Sequence, residues 1–207
     1  MARFFDVHPV TPQQRLINQV VQMLQQDGLI AYPTDSGYAL GCRLGNVSGV
    51  ERIREIRHLD DRHDFTLVCH DFAQMSQFVF VSNKVFRLIK AHTPGSYTFI
   101  LPATREVPRR FMNPKKRTVG VRISPNPVAL SLVETLGEPL LSSTLLMPGE
   151  DQAMSDGWEV KERLDHLVDA VIDGEAGTEP TTVVDLSEGD PVIRRVGAGD
   201  PAPFEEV

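Results

Sequence analysis

The chain has 207 residues, of which 41% are hydrophobic and 24% are charged, a balance typical of one soluble globular domain and unlike that of a disordered or fibrous protein. The formal net charge of −7 argues against a protein whose main task is to coat nucleic acid, because such proteins are usually basic. The sequence shows no apolar run of membrane-spanning length, no signal-peptide core and only two cysteines, so we expect a cytoplasmic protein without membrane contact or a disulfide framework.

Helices and strands alternate along the chain, and capping residues mark several helices. The first predicted helix has Thr11 as its N-cap, Pro12 at its first position and Gly28 as its stop. A second helix is expected from Ser48, because Glu51 stands three residues later, as a capping box requires. Further helices are predicted from Ser82, over 127–136 with Asn126 as N-cap, and near 155–167, and strands at 29–32, 65–69, 96–103, 118–124, 139–146, 168–173, 181–186 and 191–196. This order predicts one α/β domain over residues 1–207, with a twisted, mixed and largely open sheet and flanking helices.

Polar residues interrupt four of the predicted apolar strands. Each has an ordinary structural explanation, since threonine is common in strands, serine and threonine cap turns, and a strand arginine can face water. Together they also suit a ligand site, because ligands of α/β proteins bind where strand ends converge, and hydroxyls with a guanidinium suit a polar, phosphorylated substrate. These residues are Thr34, Asp35 and Ser36 after the first strand, Arg122, then Ser142, Ser143 and Thr144, and finally Thr181 and Thr182.

Two charged segments have alternative interpretations. Basic residues concentrate between 105 and 117, where they form either a solvated loop or a patch that attracts a polyanion such as RNA. The run from Asp60 to Asp64 could hold a metal ion, but side chains crowded along a loop are usually solvated, and we predict no metal site there. The candidates for RNA contact are Arg109, Arg110, Lys115, Lys116 and Arg117.

Several segments resemble, in order, the signatures of the YrdC-like threonylcarbamoyl-AMP synthases. They are "YPTDSGYALGC", "PGSYTFIL", "TVGVRISPNP" with the strand that follows it, and "TTVVDLSEGDPVIRRVGAG". The resemblance extends over about residues 15–199, and the detailed sequence of these motifs is most similar to the YciO-like branch. It implies a twisted, mostly open α/β sheet with a large concave pocket.

The resemblance also implies an activity, in which L-threonine, bicarbonate and ATP are joined into threonylcarbamoyl-AMP and pyrophosphate for tRNA modification. ATP is then a substrate with Mg²⁺ on its phosphates, no tightly bound metal is expected, and no general base is assigned. In this family Thr34 matches a pocket position at the threonine site. The implied substrate- and nucleotide-binding residues are Thr34, Arg57, Thr98, Arg122, Ser142, Thr144, Thr182 and Arg195.

The sequence departs from the family pattern in the segments with which the synthases bind phosphate and adenylate. The family's "K-x-R-P" loop reads Arg57, His58, Leu59 and Asp60, and Leu146 replaces the asparagine of "S-T-S-A-N". Arg62, nearby in the loop, is a candidate to replace the missing guanidinium. These departures leave two functions open: a threonylcarbamoyl-AMP synthase of weakened activity, or a non-catalytic protein of the same fold that binds double-stranded RNA, tRNA or a nucleotide. A different small-molecule reaction in the same pocket is a third alternative.

Overall fold

A ten-stranded mixed sheet runs through the described part of the chain, which is residues 1–60 and 63–205 of a computed structural model. The strands are β1 (Arg3–Asp6), β2 (Ile30–Thr34), β3 (Gly37–Arg43), β4 (Thr66–Val68), β5 (Tyr97–Pro102), β6 (Thr118–Arg122), β7 (Leu140–Thr144), β8 (Ala170–Asp173), β9 (Thr182–Asp185) and β10 (Val192–Arg195). The α-helices are α1 (Gln14–Gln25), α2 (Val47–Arg57), α3 (Phe72–Phe78), α4 (Asn83–Ala91), α5 (Pro127–Leu136) and α6 (Gly157–Leu164). Short 3-10 helices lie at Arg109–Phe111 and Ala202–Phe204.

The strand order across the sheet is β1-β8-β2-β3-β7-β4-β6-β5-β9-β10. The pairs β1/β8, β2/β8, β4/β6 and β5/β9 are parallel, and the remaining neighbours are antiparallel. The predicted α/β class with a mixed, open sheet is therefore confirmed. None of the helices in the described residues combines the length and apolar character needed to cross a membrane.

Side chains of successive strand residues point to opposite faces, and each face of the sheet carries its own hydrophobic core. Ala31 of β2 belongs to one core together with Leu67 and Val121. Tyr32 belongs to the other core, in which helices α1 and α5 cover β1, β8 and β2. On β4, β5 and β6 that second face also carries polar side chains, among them Thr66, Thr98 and Arg122, and it lines a cavity beside the helix layer.

Two predicted helix starts are wrong. Helix α1 begins at Gln14 rather than after Thr11, because the imidazole Nδ1 of His8 accepts hydrogen bonds from the backbone amides of Val10 and Thr11 and fixes a turn ahead of the helix. Helix α2 is capped by Asn46 rather than by Ser48, since the Asn46 Oδ1 accepts from the Gly49 amide at 2.8 Å. The predicted caps Ser82 and Asn126 are confirmed, whereas β1, β3 and α3 were not predicted.

The corrected cap of α2 can be tested by substitution. We expect Asn46→Ala to lower the free energy of unfolding by about 1–2 kcal/mol, because the Gly49 amide loses its acceptor and the buried Asn46 no longer donates to the Asp27 carbonyl. Ser48→Ala should change it by less than about 0.5 kcal/mol, because Ser48 is exposed and only donates to Asn46. Urea unfolding measures both, and an equal loss in the two variants would contradict the assignment.

Candidate functional site

A cavity of about 810 Å³ opens on the polar face of the sheet. Its floor follows the strand order from β2 and β7 through β4, β6 and β5 to β10, so residues far apart in sequence meet there. The size is in the range of pockets that hold small-molecule ligands and cofactors. Of the residues predicted to bind substrate or nucleotide, those that line this cavity are Thr34, Arg57, Thr98, Arg122, Ser142, Thr144 and Arg195.

A buried ion pair fixes the guanidinium of Arg122 in the cavity wall. The Arg122 Nη2 donates to the Asp35 carboxylate, and Nη1 donates to the Ser36 hydroxyl at 2.9 Å. The side chains of both ion-pair partners are largely buried, at 8% and 13% exposure. Among the described residues the buried Arg122 Nε has no hydrogen-bond partner. Folding therefore places the positively charged Arg122 side chain in the cavity wall, and the ion pair with Asp35 holds it there without a ligand.

Asp35 holds more than this arginine. Its Oδ2 accepts from the Ser96 hydroxyl at 2.9 Å, and its Oδ1 accepts from the Ser124 hydroxyl. The turn between β2 and β3 is thereby tied to the segments that flank β5 and β6. The polar cluster after the first strand thus serves both structure and site.

The hydroxyl groups near β2 are hydrogen-bonded among themselves. Thr34 Oγ1 donates to the Gly37 carbonyl at 2.7 Å and accepts from the Ser36 amide at 3.1 Å. Deeper in the cavity, Ser142 Oγ donates to the Leu40 carbonyl and lies 2.7 Å from the Tyr32 hydroxyl, which donates to it. Burial raises the pKa of Tyr32 to about 12, so this phenol stays neutral. Thr34 therefore presents a side chain whose hydroxyl already has protein partners.

A second guanidinium lies at the β10 side of the cavity. Arg195 donates from Nε to the Thr181 carbonyl at 2.9 Å and from Nη2 to the Thr181 hydroxyl at 3.0 Å. That hydroxyl also lies 2.9 Å from the hydroxyl of Thr98. Burial, and to a smaller degree repulsion from the charge of Arg122, lowers the pKa of Arg195. An anion bound between them would relieve that repulsion.

Thr182, which the family resemblance implies as a binding residue, does not line the described cavity. Thr182 is fully buried, and its hydroxyl donates to the Gly199 carbonyl and accepts from the Gly197 amide, which places it outside the described cavity lining. Its neighbour Thr181 lines the cavity instead. Thr182 is paired with Tyr97, a residue of the main hydrophobic core, so its side chain faces away from the cavity.

At the β7 side, an arginine and a histidine converge on one serine. Arg57, at the end of α2, donates from Nη1 to the Ser143 hydroxyl and from Nε to the Leu146 carbonyl. His63 Nε2 lies 3.1 Å from the same hydroxyl. Burial lowers the pKa of Arg57, and burial with the charges of Arg57 and Arg54 lowers the pKa of His63 to about 4. His63 was not predicted as a site residue, since it stood in a charged run that we interpreted as solvated.

The carboxylates that line the cavity lie at its solvent-exposed rim. Asp64, Asp151 and Glu179 are lining residues, but all three are exposed, whereas Arg122 is buried. Interactions in the low-dielectric interior are stronger than those at the solvated rim. The interior of the cavity therefore favours an anionic ligand.

The residues that depart from the family pattern separate into different environments. Leu146 lines the cavity, whereas the side chain of Leu59 is partly buried against the main hydrophobic core. The backbone carbonyl of Asp60 accepts a hydrogen bond from Arg54, and Asp60 is exposed. Arg62, the candidate to replace a missing guanidinium, and Asp61 lie outside the described residues. In the described part of the chain, no group of three or more His, Cys, Asp or Glu side chains is arranged to hold a metal ion.

The predicted RNA-contact residues lie on the surface ahead of β6. Arg109, Arg110, Lys115, Lys116 and Arg117 are all exposed, and the next residue, Thr118, lines the cavity. Lys116 donates to Glu188 at 3.1 Å and lies 3.9 Å from the buried carboxylate of Asp185. Part of the positive charge of this segment is therefore neutralised within the protein.

Comparisons with known proteins show similarity in sequence and in fold over nearly the whole chain. The Sua5_yciO_yrdC family model, described as "Telomere recombination", matches residues 22–197. The chain is 51% identical to YciO of Escherichia coli K12 over 205 residues, covering 99% of this chain and 100% of that protein, and 53% identical to a Haemophilus influenzae protein over 206 residues, with the same coverage. The crystal structure of E. coli YciO superposes with a TM-score of 0.94 over 99% of this chain and 100% of that one. The crystal structure of P. abyssi Sua5 complexed with L-threonine is 23% identical, covers 99% of this chain and 61% of that chain, and has a TM-score of 0.87, which indicates a shared fold.

The role of Asp35 in holding Arg122 predicts a strong and specific loss of stability. We expect Asp35→Ala to lower the free energy of unfolding by about 3–5 kcal/mol, because it leaves a buried guanidinium without its counter-charge. Ser96→Ala, which removes one donor to the same carboxylate, should cost about 1 kcal/mol. The double variant Asp35→Ala/Arg122→Met should lose less than the sum of the two single variants in urea unfolding. Additive losses would show that the pair does not interact as described.

Proposed function

Because this chain belongs to the Sua5/YciO/YrdC family, we propose that it is a threonylcarbamoyl-AMP synthase-like enzyme, which joins L-threonine, bicarbonate and ATP into threonylcarbamoyl-AMP and pyrophosphate for tRNA modification. The observation that carries this proposal is the buried guanidinium of Arg122, held by Asp35 in the cavity wall. A fixed, planar guanidinium suits a carboxylate, which it can bind through two hydrogen bonds. The Sua5 structure that shares this fold is a complex with L-threonine, an amino acid that carries such a group.

The proposed reaction requires positioning rather than a protein nucleophile. The threonine nitrogen bonds to the carbon of bicarbonate with loss of water and a proton, and an oxygen of the resulting carbamate attacks the α-phosphorus of ATP. The bond from that phosphorus to the β-phosphate oxygen breaks, and pyrophosphate leaves. Mg²⁺ enters with ATP as part of this substrate. The protein's contribution is to hold two anionic substrates in line and to neutralise their charge.

The cavity offers separate ends for the two substrates. Arg122 and Arg195 mark one end, where we place the threonine carboxylate, and Arg57 with Ser143 marks the other, where we place the phosphates. Arg122 ends β6, two strand spacings or roughly 10 Å from β7, and Arg195 ends β10, three spacings farther along the sheet. Between them Gly120 lies in the floor and packs closely against Thr66, since an added Cβ would lie 2.9 Å from the Thr66 hydroxyl. The two substrates thus have room to meet above β4 and β6.

Pyrophosphate release tests the proposed activity. The complete mixture of L-threonine, bicarbonate and MgATP should release pyrophosphate, and omission of any one substrate should abolish it. Arg195→Gln should lower kcat/KM for threonine by about 10- to 100-fold, because a charge-assisted hydrogen bond contributes about 1.5–3 kcal/mol.

Arg194→Gln is the matched control, because Arg194 is the preceding strand residue and binds Asp185 instead of lining the described cavity. It should leave kcat/KM for threonine within about twofold of the parent when the folded fractions are equal. Release that ignores threonine or bicarbonate, or equal losses in both variants, would refute the proposed activity or its threonine site respectively.

A second candidate is RNA binding by the exposed basic segment, because that segment leads directly into the cavity at Thr118. Such binding would depend on phosphate and 2′-hydroxyl contacts along the shape of double-stranded RNA or tRNA rather than on base sequence. A tRNA bound there would lie next to the site at which its modifying group is made. The net charge of −7 keeps the expected affinity low.

The electrostatic origin of RNA binding predicts its response to salt and to substitution. We expect tRNA affinity to fall steeply between 50 and 200 mM salt and the slope to decrease by about one for each phosphate contact that is removed. Arg109→Ala/Arg110→Ala/Lys115→Ala should weaken binding, whereas Lys116→Ala should have less effect, because Lys116 is already paired with Glu188. Filter binding measures both, and salt-independent binding would exclude this surface.

A further inference from the structure

His63 lines the cavity beside Arg57, where it would contact a bound anionic group. Its Nε2 lies 3.1 Å from the Ser143 hydroxyl, to which Arg57 also donates. A guanidinium has only donors, so the Ser143 oxygen accepts from Arg57, and its own hydrogen is available to the imidazole. The lowered pKa of His63 favours the neutral imidazole, and in the tautomer with its proton on Nδ1 the Nε2 accepts that hydrogen. A guanidinium, a hydroxyl and an imidazole therefore converge on the same part of the cavity.

The surroundings of His63 explain why it is neutral and what would change that. Helix α2 contributes Arg54 and Arg57, which disfavour protonation, and the preceding segment contributes Asp60, which favours it. Strand β7 contributes the uncharged Ser143, and the ring of Phe65 packs edge-on at 5.3 Å between ring centres. A phosphate bound beside Arg57 would add negative charge at close range and raise the pKa of the imidazole.

We propose that His63 binds the phosphates of the nucleotide together with Arg57 and Ser143, and that it takes up a proton when they bind. This proposal rests on the nucleotide site of the proposed function. It assigns to the chain a titratable phosphate ligand, so that nucleotide affinity depends on pH. On protonation, His63 Nε2 changes from an acceptor to a donor, and the Ser143 hydroxyl is released to donate to the phosphate as well.

The direction of the pH dependence follows from proton linkage. The bound state holds one proton more than the free state at any pH between the free pKa of about 4 and the bound pKa of His63. Affinity therefore rises as the pH falls. If the bound pKa returns to the ordinary histidine value of about 6.5, affinity should increase about tenfold between pH 7.5 and pH 5.5.

Calorimetric titration with MgATP at pH 5.5 and 7.5 tests this inference in the parent and in matched variants. His63→Gln keeps a polar side chain without titration, so its affinity should change with pH by the part that comes from ATP itself, and the parent should exceed that change about tenfold. His63→Lys carries a fixed charge, and it should bind at pH 7.5 nearly as tightly as the parent does at pH 5.5. His166→Gln removes an exposed histidine outside the described cavity lining and should behave as the parent does.

Proton uptake is a second readout and does not depend on any variant being folded. The parent should take up protons on binding MgATP near pH 6, measured in two buffers of different ionisation enthalpy, and the His63 imidazole resonance should shift toward its protonated position. An unchanged His63 resonance, or the same pH dependence in parent and His63→Gln, would overturn the inference while leaving the nucleotide site in place. A parent that binds no MgATP at either pH would overturn the nucleotide site of the proposed function, and the inference with it.

Discussion

The carboxylate of Asp35 is the constraint on which the cavity depends. It receives the Arg122 guanidinium from the end of β6 and the hydroxyls of Ser124 and Ser96 from the segments that flank β6 and β5. A buried ion pair is weak evidence for stability, because removing both charges from water costs about as much as their attraction returns. Its retention is better explained by what it positions. The Arg122 side chain is ordered during folding. Binding of a carboxylate to it therefore does not carry the entropic cost of ordering a long side chain.

The two ends of the cavity are built in different ways. Arg122 lies on a central strand and is locked by an ion pair, whereas Arg57 and His63 reach the cavity from the end of a helix and from the segment that follows it. His58, between them, adopts a left-handed conformation that ends the helix and turns the chain. Leu59 then packs into the core, so no guanidinium can extend from that position into the cavity without losing an apolar contact. Substitutions in this segment can therefore alter this end of the cavity while the sheet keeps the fold that it shares with Sua5.

Sequence patterns predicted the α/β class and several of the polar residues that line the cavity, because a polar side chain within an apolar strand needs a polar environment, and a ligand cavity provides one. They failed where a choice depended on a neighbour. Thr181 and Thr182 are chemically identical, and only the pairing of β9 with β5 decides which one faces the cavity. Strand β3 was missed because it is buried on both faces and shows no alternation. The partners of Asp35 could not be inferred, since Ser124 lies 89 residues away.

The distribution of charge favours binding of a small anion in the cavity over binding of a long polyanion on the surface. The chain is acidic overall, yet the buried guanidinium of Arg122 and the half-buried Arg57 line the cavity, while Asp64, Asp151 and Glu179 lie at its exposed rim. Acidic groups in solvent are screened beyond about 8–10 Å at physiological ionic strength, so they weaken the field inside the cavity little. A long polyanion, in contrast, must pass over the surface, where it meets the acidic rim and a basic segment whose Lys116 is already paired with Glu188 and Asp185. The same net charge that disfavours RNA on the surface therefore leaves the cavity suited to small anions, such as those of the proposed reaction.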